Sequence, residues 1–396
     1  MSSDTSSSQG QPAGSAAPVH SASAYLPSLD GWRALAIALV LLSHALESIL
    51  GALPAGLTLD LLALKHLGLT GVQLFFGLSG FLITSKLLEE EQRHGRTNLS
   101  GFYLRRSFRI LPAALVLLMV LGLLSLLGVL DIGLTRWLST LFFAANYSSA
   151  TPSWYVGHFW SLAVEEHFYF LWPAAFVLLQ RSRRRLALVF ALALALAVWR
   201  ALDFKYQITG AAPAAFWGRT DIQADGILWG VAIALLNADP VWRPRLQRLL
   251  TAPANWGLLC ALLLALQALN GLNWKLDFLL ISVKAALLPL LMLGTVLRSS
   301  DWPARLLERA PLRFVGRLSY SLYLWQQLFL VGSVDRVPGL GALQVFPLNL
   351  IAVFACAMLS LYLVEQPMIK LGQRLARRAK PDPQGSGWWG AQCSRT

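Results

Sequence analysis

Apolar runs alternate with short polar breaks along the chain. A helix that crosses hydrocarbon needs about 20 mostly apolar residues. Runs of that kind lie near 32–50, 71–88, 110–130, 160–180, 186–202, 221–236, 253–271, 277–297, 318–333 and 347–366. The pattern predicts an all-α fold, a polytopic membrane helix bundle of about ten transmembrane helices. Several runs contain Gly or Pro, which membrane helices tolerate. The breaks leave no room for a separate globular unit, so a single membrane domain over 25–370 is expected.

Composition supports this. Hydrophobic residues make up 56% of the chain and charged residues 13%, against about 25% charged in soluble domains. The mean hydropathy of +0.55 excludes an ordinary soluble protein. Residues 1–24 are rich in Ser, Ala, Gly and Pro and have no apolar run, which predicts a disordered cytoplasmic arm rather than a cleavable leader. Residues 371–396 read as a cytoplasmic tail in which Trp388 and Trp389 suit the membrane interface. Cys260 and Cys356 fall in predicted helices and Cys393 in the tail, so neither a disulfide framework nor a cysteine metal site is indicated, and no metal is expected. No long internal repeat is visible, which removes one pointer to an inverted-repeat transporter.

The net charge of +13 is distributed by loop. Lys and Arg crowd into alternate polar breaks: Lys86 to Arg109, Arg181 to Arg185, Arg243 to Arg248, Arg298 to Arg317, and the tail after Lys370. The intervening breaks carry few. Basic residues accumulate on the cytoplasmic side, so both termini are expected in the cytoplasm, in agreement with an even number of spans. Scattered along loop edges, these charges suit anionic lipid headgroups; no basic face of the kind that binds nucleic acid is formed, and no nucleic-acid partner is expected.

Several segments converge on one resemblance. Leu29-Asp-Gly-Trp-Arg-Ala-Leu-Ala opens the first run and leads to His44, and Gly71-Val-Gln-Leu-Phe-Phe-Gly-Leu-Ser-Gly-Phe-Leu-Ile-Thr84 forms the second. Phe102-Tyr-Leu-Arg-Arg-Ser-Phe-Arg-Ile-Leu-Pro112 opens the third, and Trp160-Ser-Leu-Ala-Val-Glu-Glu-His-Phe-Tyr-Phe-Leu-Trp172-Pro173 follows. Near the end come Ser319-Tyr-Ser-Leu-Tyr-Leu-Trp325 and Tyr362-Leu-Val-Glu-Gln-Pro367. From about residue 25 to about residue 370, the order and spacing of these segments resemble the acyltransferase 3 family of membrane O-acyltransferases. The resemblance implies transfer of an acyl group, often acetyl, from cytoplasmic acyl-CoA to a hydroxyl of a glycan or other acceptor in the bacterial inner membrane. Acyl-CoA would be a co-substrate, with no permanently bound cofactor. Some members carry an extracytoplasmic esterase-like domain; this chain stops soon after its last run, so that domain is expected to be absent and a partner or the membrane core to finish the reaction.

The residues themselves fit that chemistry. Glu165 and Glu166 lie inside an apolar, aromatic run, where a carboxylate is expensive and function is the default reading. If the first helix runs outward from Arg33, His44 lies about 17 Å further along its axis at about 1.5 Å per residue. The helix bearing Glu165 and Glu166 returns inward, which predicts a similar depth and a pairing of His44, as general base or transient acyl acceptor, with one of the two carboxylates. Otherwise His44 only bonds a neighbouring helix. Arg105, Arg106 and Arg109 stand at the cytoplasmic mouth, where guanidinium groups suit the phosphates of CoA. Either Arg105 with Arg109 or Arg106 with Arg109 would share a helix face.

Asp30 and Arg33 are spaced to pair, with Arg33 a further candidate substrate ligand. Asp221 and Asp225 would share a face and either bind acceptor hydroxyls or pair with Arg219. Ser79, between Gly77 and Gly80, reads as a close-packing site, and Glu365 as one half of an ion pair with a basic loop. Many relatives have His after Tyr-Leu-Trp where this chain has Gln326, which weakens the case for a second catalytic histidine. A transporter of acyl groups or glycolipids and a non-catalytic scaffold are the competing readings.

Overall fold

The structure, a computed structural model, describes residues 26–50, 67–148, 153–180, 182, 184–211, 216–269, 274–332 and 335–378. The expected arm at 1–24 and residues 379–396 of the expected tail, including Cys393, Trp388 and Trp389, lie outside the described residues. In lipid every backbone N–H and C=O must be satisfied within its own segment, and helix occupies most of each predicted run.

In chain order the helices are α1 (Pro27–Leu50), α2 (Leu67–His94), α3 (Leu99–Leu126), α4 (Leu134–Leu141), α5 (Phe159–Leu178) and α6 (Arg185–Tyr206). After them come α7 (Thr220–Gln223), α8 (Asp225–Ala238), α9 (Arg243–Thr251), α10 (Pro253–Leu269) and α11 (Trp274–Leu297). The last are α12 (Trp302–Leu307), α13 (Ala310–Phe329), α14 (Leu348–Leu359) and α15 (Gln366–Arg378), with a π-helical turn, Ser360–Glu365, joining α14 to α15. Part of the expected tail, 371–378, is thus helical. No strand occurs among the described residues.

By length and apolarity alone, six helices are fit to cross a membrane, or seven if α9 and α10, bent by 80°, count as one broken span. The expected number of about ten is not reached on that measure. α8 and α10 are too short, and α5 and α13 carry the polar side chains that make up the site described below. The molecule is a multi-pass membrane protein.

Glycines set the closest helix contacts. A Cβ on Gly80 would strike the carbonyl oxygen of Ile227, and one on Gly230 the carbonyl oxygen of Gly77, so α2 and α8 touch backbone to backbone. Gly316 of α13 lies against the backbone of Asp30 in the same manner, bringing α13 onto α1. Small residues at such crossings are how membrane helices pack where lipid offers no hydrophobic drive.

One ion-pair cluster ties α6, α8 and α11 together, and a second ties α6 to the start of α7. Arg200 of α6 is wholly buried and forms a bidentate pair with Asp225 at 2.9 Å through each nitrogen. Ser282 of α11 completes the group, donating to Asp225 Oδ2 at 2.7 Å and accepting from Arg200. Arg219 pairs with Asp203 at 3.0 Å and with Asp221 at 2.5 Å, and Trp199 donates to Asp221 at 2.7 Å. Both aspartates are paired: Asp221, partly exposed, takes the Arg219 pairing foreseen as its alternative, and buried Asp225 meets a partner from another helix. A break separates them, with α7 ending at Gln223 and a new helix starting at Asp225.

A buried pair that loses one member leaves an uncompensated charge, which costs about 3–5 kcal/mol, whereas replacing both members with apolar residues is often neutral. Asp225→Ala is therefore expected to lower the unfolding temperature of the purified protein sharply, and the double variant Arg200→Met with Asp225→Leu to recover most of it. A Tm unchanged in Asp225→Ala would show that the pair is not a brace.

Candidate active site

Five residue patterns on four helices and the start of α1 converge on one pocket. Val72, Phe75, Phe76 and Ser79 recur at helical spacing on α2, and Ser161, Leu162, Glu165 and Tyr169 do so on α5. Arg33 enters from α1, Arg106, Arg109 and Ile110 from α3, and Ser319, Tyr320 and Tyr323 from α13. The empty space they enclose comes to about 700 Å³, including the open mouth. α3 is launched into place by Asn98, whose side chain caps the helix by accepting from the Gly101 N–H at 2.8 Å.

At the centre stands Glu165. It accepts from Ser79 Oγ at 3.0 Å and from Tyr169 OH at 2.5 Å, and the two hydroxyls lie 2.8 Å apart. Arg106 approaches its second oxygen at 3.9 Å while its guanidinium lies 3.4 Å from the centre of the Tyr169 ring, a geometry in which the ring face adds to the attraction. Ser79 was read from sequence as a packing residue. The packing belongs to its neighbours Gly77 and Gly80, and the hydroxyl itself turns to the carboxylate.

The arginine cluster divides. Arg106 and Arg109, three residues apart, face the pocket, and Arg105 is exposed and not among its lining residues. Arg33 joins them there while bonding Asp30 at 3.1 Å. Lys86 is within electrostatic reach of Arg33, Arg105, Arg106 and Arg109, so the mouth of the pocket is strongly positive. Glu166, next to the central carboxylate, has Oε1 buried with no partner among the described residues.

His44 does not sit in this pocket. Its Nδ1 lies 2.5 Å from Gln326 Oε1, and its ring meets Trp154 edge-on at 5.2 Å between centroids. Glu165 falls about two helical turns deeper along α5 than this level, roughly 10 Å at 1.5 Å per residue, with Ser161 between. The expected partnership of His44 with a carboxylate at 165 or 166 is replaced by one with an amide, since α13 inserts Gln326 at the depth of the histidine. Between the two levels, Ser161 Oγ and Tyr323 OH are 2.5 Å apart.

Sequence reasoning missed Tyr169, Ser161, Tyr323 and His158, and passed over Gln327. The i, i+4, i+8 series Ser161, Glu165 and Tyr169 was the available signal: three polar groups on one face of an otherwise apolar helix. Glu365 is also placed differently from expectation. It is buried in the π-helical turn and accepts from Ser321 and from Ser360, the latter at 3.1 Å, so serine hydroxyls take the place of a basic loop. Such turns are frequent at functional sites. Among the described residues no three His, Cys, Asp or Glu side chains lie together in a way that would hold a metal ion.

Comparison with known proteins identifies the family. A family model for an acyltransferase domain matches residues 26–365. A Staphylococcus aureus (strain COL) protein provisionally named an O-acetyltransferase is 30% identical over 382 residues, covering 88% of this chain and 58% of the relative. Peptidoglycan O-acetyltransferase OatA of Listeria monocytogenes is 26% identical over 379 residues, covering 88% of this chain and 56% of its own. A Bacillus subtilis protein, YrhL, provisionally named a peptidoglycan O-acetyltransferase, is 30% identical over 382 residues with coverages of 88% and 56%. The chain therefore spans a little over half the length of these relatives. No solved structure matches. With the family model running across nearly the whole helical bundle, and with the arginines, the central glutamate and His44 all inside the matched region, the chain belongs to the acyltransferase 3 family.

Proposed function

We propose that the protein transfers an acyl group, acetyl being the favoured one, from acyl-CoA to a hydroxyl of a glycan at the bacterial inner membrane. The observation that carries this reading is the pocket itself, in which Arg33, Arg106 and Arg109 line one wall. Three guanidinium groups at the mouth of an apolar cavity suit a ligand with several phosphates and a long thin arm, because they stay charged and offer paired donors. His44 lies on the same helix as Arg33, about 17 Å further along at 1.5 Å per residue, where the reactive end of such an arm would arrive.

In this reading the phosphates bind Arg106 and Arg109, and Arg33 supports them. Glu165 fixes Arg106, Ser79 and Tyr169 and so holds the pocket wall in shape. Gln326 accepts from Nδ1 of His44 and leaves Nε2 as the reactive nitrogen, which serves either as base for the incoming hydroxyl or as transient acyl carrier. A transporter of the same ligand would need the arginines but not a reactive imidazole one level further out. The glycan acceptor is suggested by the names of the relatives, two of which refer to peptidoglycan.

The two halves of this reading separate by mutation. Arg106→Ala with Arg109→Ala is expected to weaken acyl-CoA binding about tenfold or more, since a charge-assisted bond contributes about 1.5–3 kcal/mol. His44→Ala is expected to keep binding and lose about 100-fold or more in turnover. Both are read by titration of CoA and by transfer of labelled acetyl, and near-normal transfer by His44→Ala would remove the histidine from the mechanism.

The acceptor is tested in cells. Deletion is expected to remove acetyl mass from the surface glycan, and an unchanged glycan would point to a different acceptor. The proposed orientation, with both termini and the loops at 89–104 and 181–185 in the cytoplasm, predicts that a lone cysteine at position 93 resists impermeant reagent in intact cells. Labelling from outside would invert the topology and with it the cytoplasmic donor.

A further inference from the structure

His158, immediately before α5, is only 2% exposed. Its backbone N–H donates to Gln327 Oε1 at 2.8 Å. A backbone N–H can only donate, so the atom of Gln327 facing it is the amide oxygen. The same oxygen lies 2.7 Å from His158 Nδ1, which therefore carries a hydrogen and donates it. In the neutral ring Nε2 is then a lone-pair acceptor. That atom is buried and has no hydrogen-bond partner among the described residues, and a buried polar atom left without a partner calls for an explanation.

Two other unpartnered buried atoms belong to the same shell. Trp154 Nε1 is on the ring that meets His44 edge-on, and Gln326 Nε2 is on the amide that holds His44. Both are donors, whereas His158 Nε2 is an acceptor. A hydroxyl attacking an acyl carbon has this complement of needs: an acceptor for its proton, and donors for the carbonyl oxygen as charge develops on it. The position is also continuous with the pocket. The His158 ring packs edge-on against Tyr323 at 5.7 Å, and its carbonyl accepts from Ser161 at 3.1 Å; both hydroxyl residues line the pocket. Consecutive glutamines of α13 thus tie the Nδ1 atoms of two histidines, His44 through Gln326 and His158 through Gln327.

We propose that His158 is a second base, which receives the proton of the acceptor hydroxyl while His44 carries the acyl group. The inference rests on the acyl-transfer reading above and divides its two roles for His44 in favour of the carrier. In the first step His44 Nε2 attacks the thioester carbon, a C–N bond forms, and the C–S bond breaks with its electron pair leaving on sulfur. In the second, the hydroxyl oxygen attacks that carbon as its proton moves to His158 Nε2. The ester C–O bond forms, the C–N bond breaks with its pair returning to His44, and His158 then gives the proton to the released thiolate.

The test uses the full chain in lipid nanodiscs and compares two measurements. One is exchange of labelled CoA into acetyl-CoA without acceptor, which reports the first step alone. The other is transfer of labelled acetyl to surface glycan purified from a deletion strain. The variant is His158→Asn, whose Nδ2 keeps the donor to Gln327 while removing the Nε2 lone pair; an unchanged Tm confirms that the shell is intact. Wild type is expected to do both, His44→Ala neither, and His158→Asn to exchange while transferring about 100-fold more slowly or worse. Wild-type transfer by His158→Asn, or loss of exchange together with transfer, overturns the proposal. So does transfer without exchange in the wild type, since no acyl carrier then exists. A wild type that neither exchanges nor transfers removes the acyl-transfer reading itself.

Discussion

Charge within an apolar bundle persists only where a partner compensates the loss of water, and this requirement arranges both the frame and the site. Desolvating an ion costs several kcal/mol even after relaxation. The two ways in which the chain meets that requirement differ in a telling manner. Arg200 and Asp225 face each other with paired bonds at 2.9 Å and are closed to solvent. Arg106 and Glu165 stand 3.9 Å apart beside an open pocket, with hydroxyls and a ring face making up the difference. A pair closed to solvent in this way braces helices. A loose one leaves donors facing the cavity, and on that distinction rests the proposal that a ligand enters at the second cluster.

Much of this was legible in the chain. The apolar runs announce the helices because a lipid-embedded backbone has few alternatives, and the Arg106 and Arg109 spacing announces a shared face. What sequence could not supply was depth. α5 begins as expected, at Phe159 against Trp160, but placing His44 beside Glu165 left out that the histidine stands level with the segment before α5 and that α13 reaches it too. A short 3-10 turn, Trp154–Val156, precedes α5, and α13 begins well inside the basic break, at Ala310. Those placements bring Gln326 to the histidine and leave the carboxylate two turns deeper.

The polar residues of α5 and α13 also explain why these two helices fall short as spans on composition. Each turn of α5 that faces the pocket presents something other than an aliphatic group: Ser161, then Glu165, then Tyr169. α13 answers with Ser319, Tyr320 and Tyr323, and beyond them Gln326 and Gln327. The result is an ordered sequence of functions along the bundle. Arginines lie at the mouth, the Glu165 triad behind them, the Ser161 and Tyr323 hydroxyls next, and the two histidines beyond. Helices running in opposite directions can build such a column because residues at four-residue intervals on each stay on one face.

The choice of amides rather than carboxylates to orient both imidazoles has a chemical consequence. A carboxylate behind a histidine fixes the tautomer and also stabilises the imidazolium that forms. Glutamine does only the first. An acyl group on His44 would therefore rest on a cationic ring whose Nδ1 is held by a neutral amide, which keeps the carbonyl electrophilic and favours its departure to an oxygen nucleophile. At His158 the same neutrality means that a proton taken from the hydroxyl is held briefly rather than trapped. A site meant to pass an acyl group onward, rather than to store it, gains from orienters that position without stabilising charge.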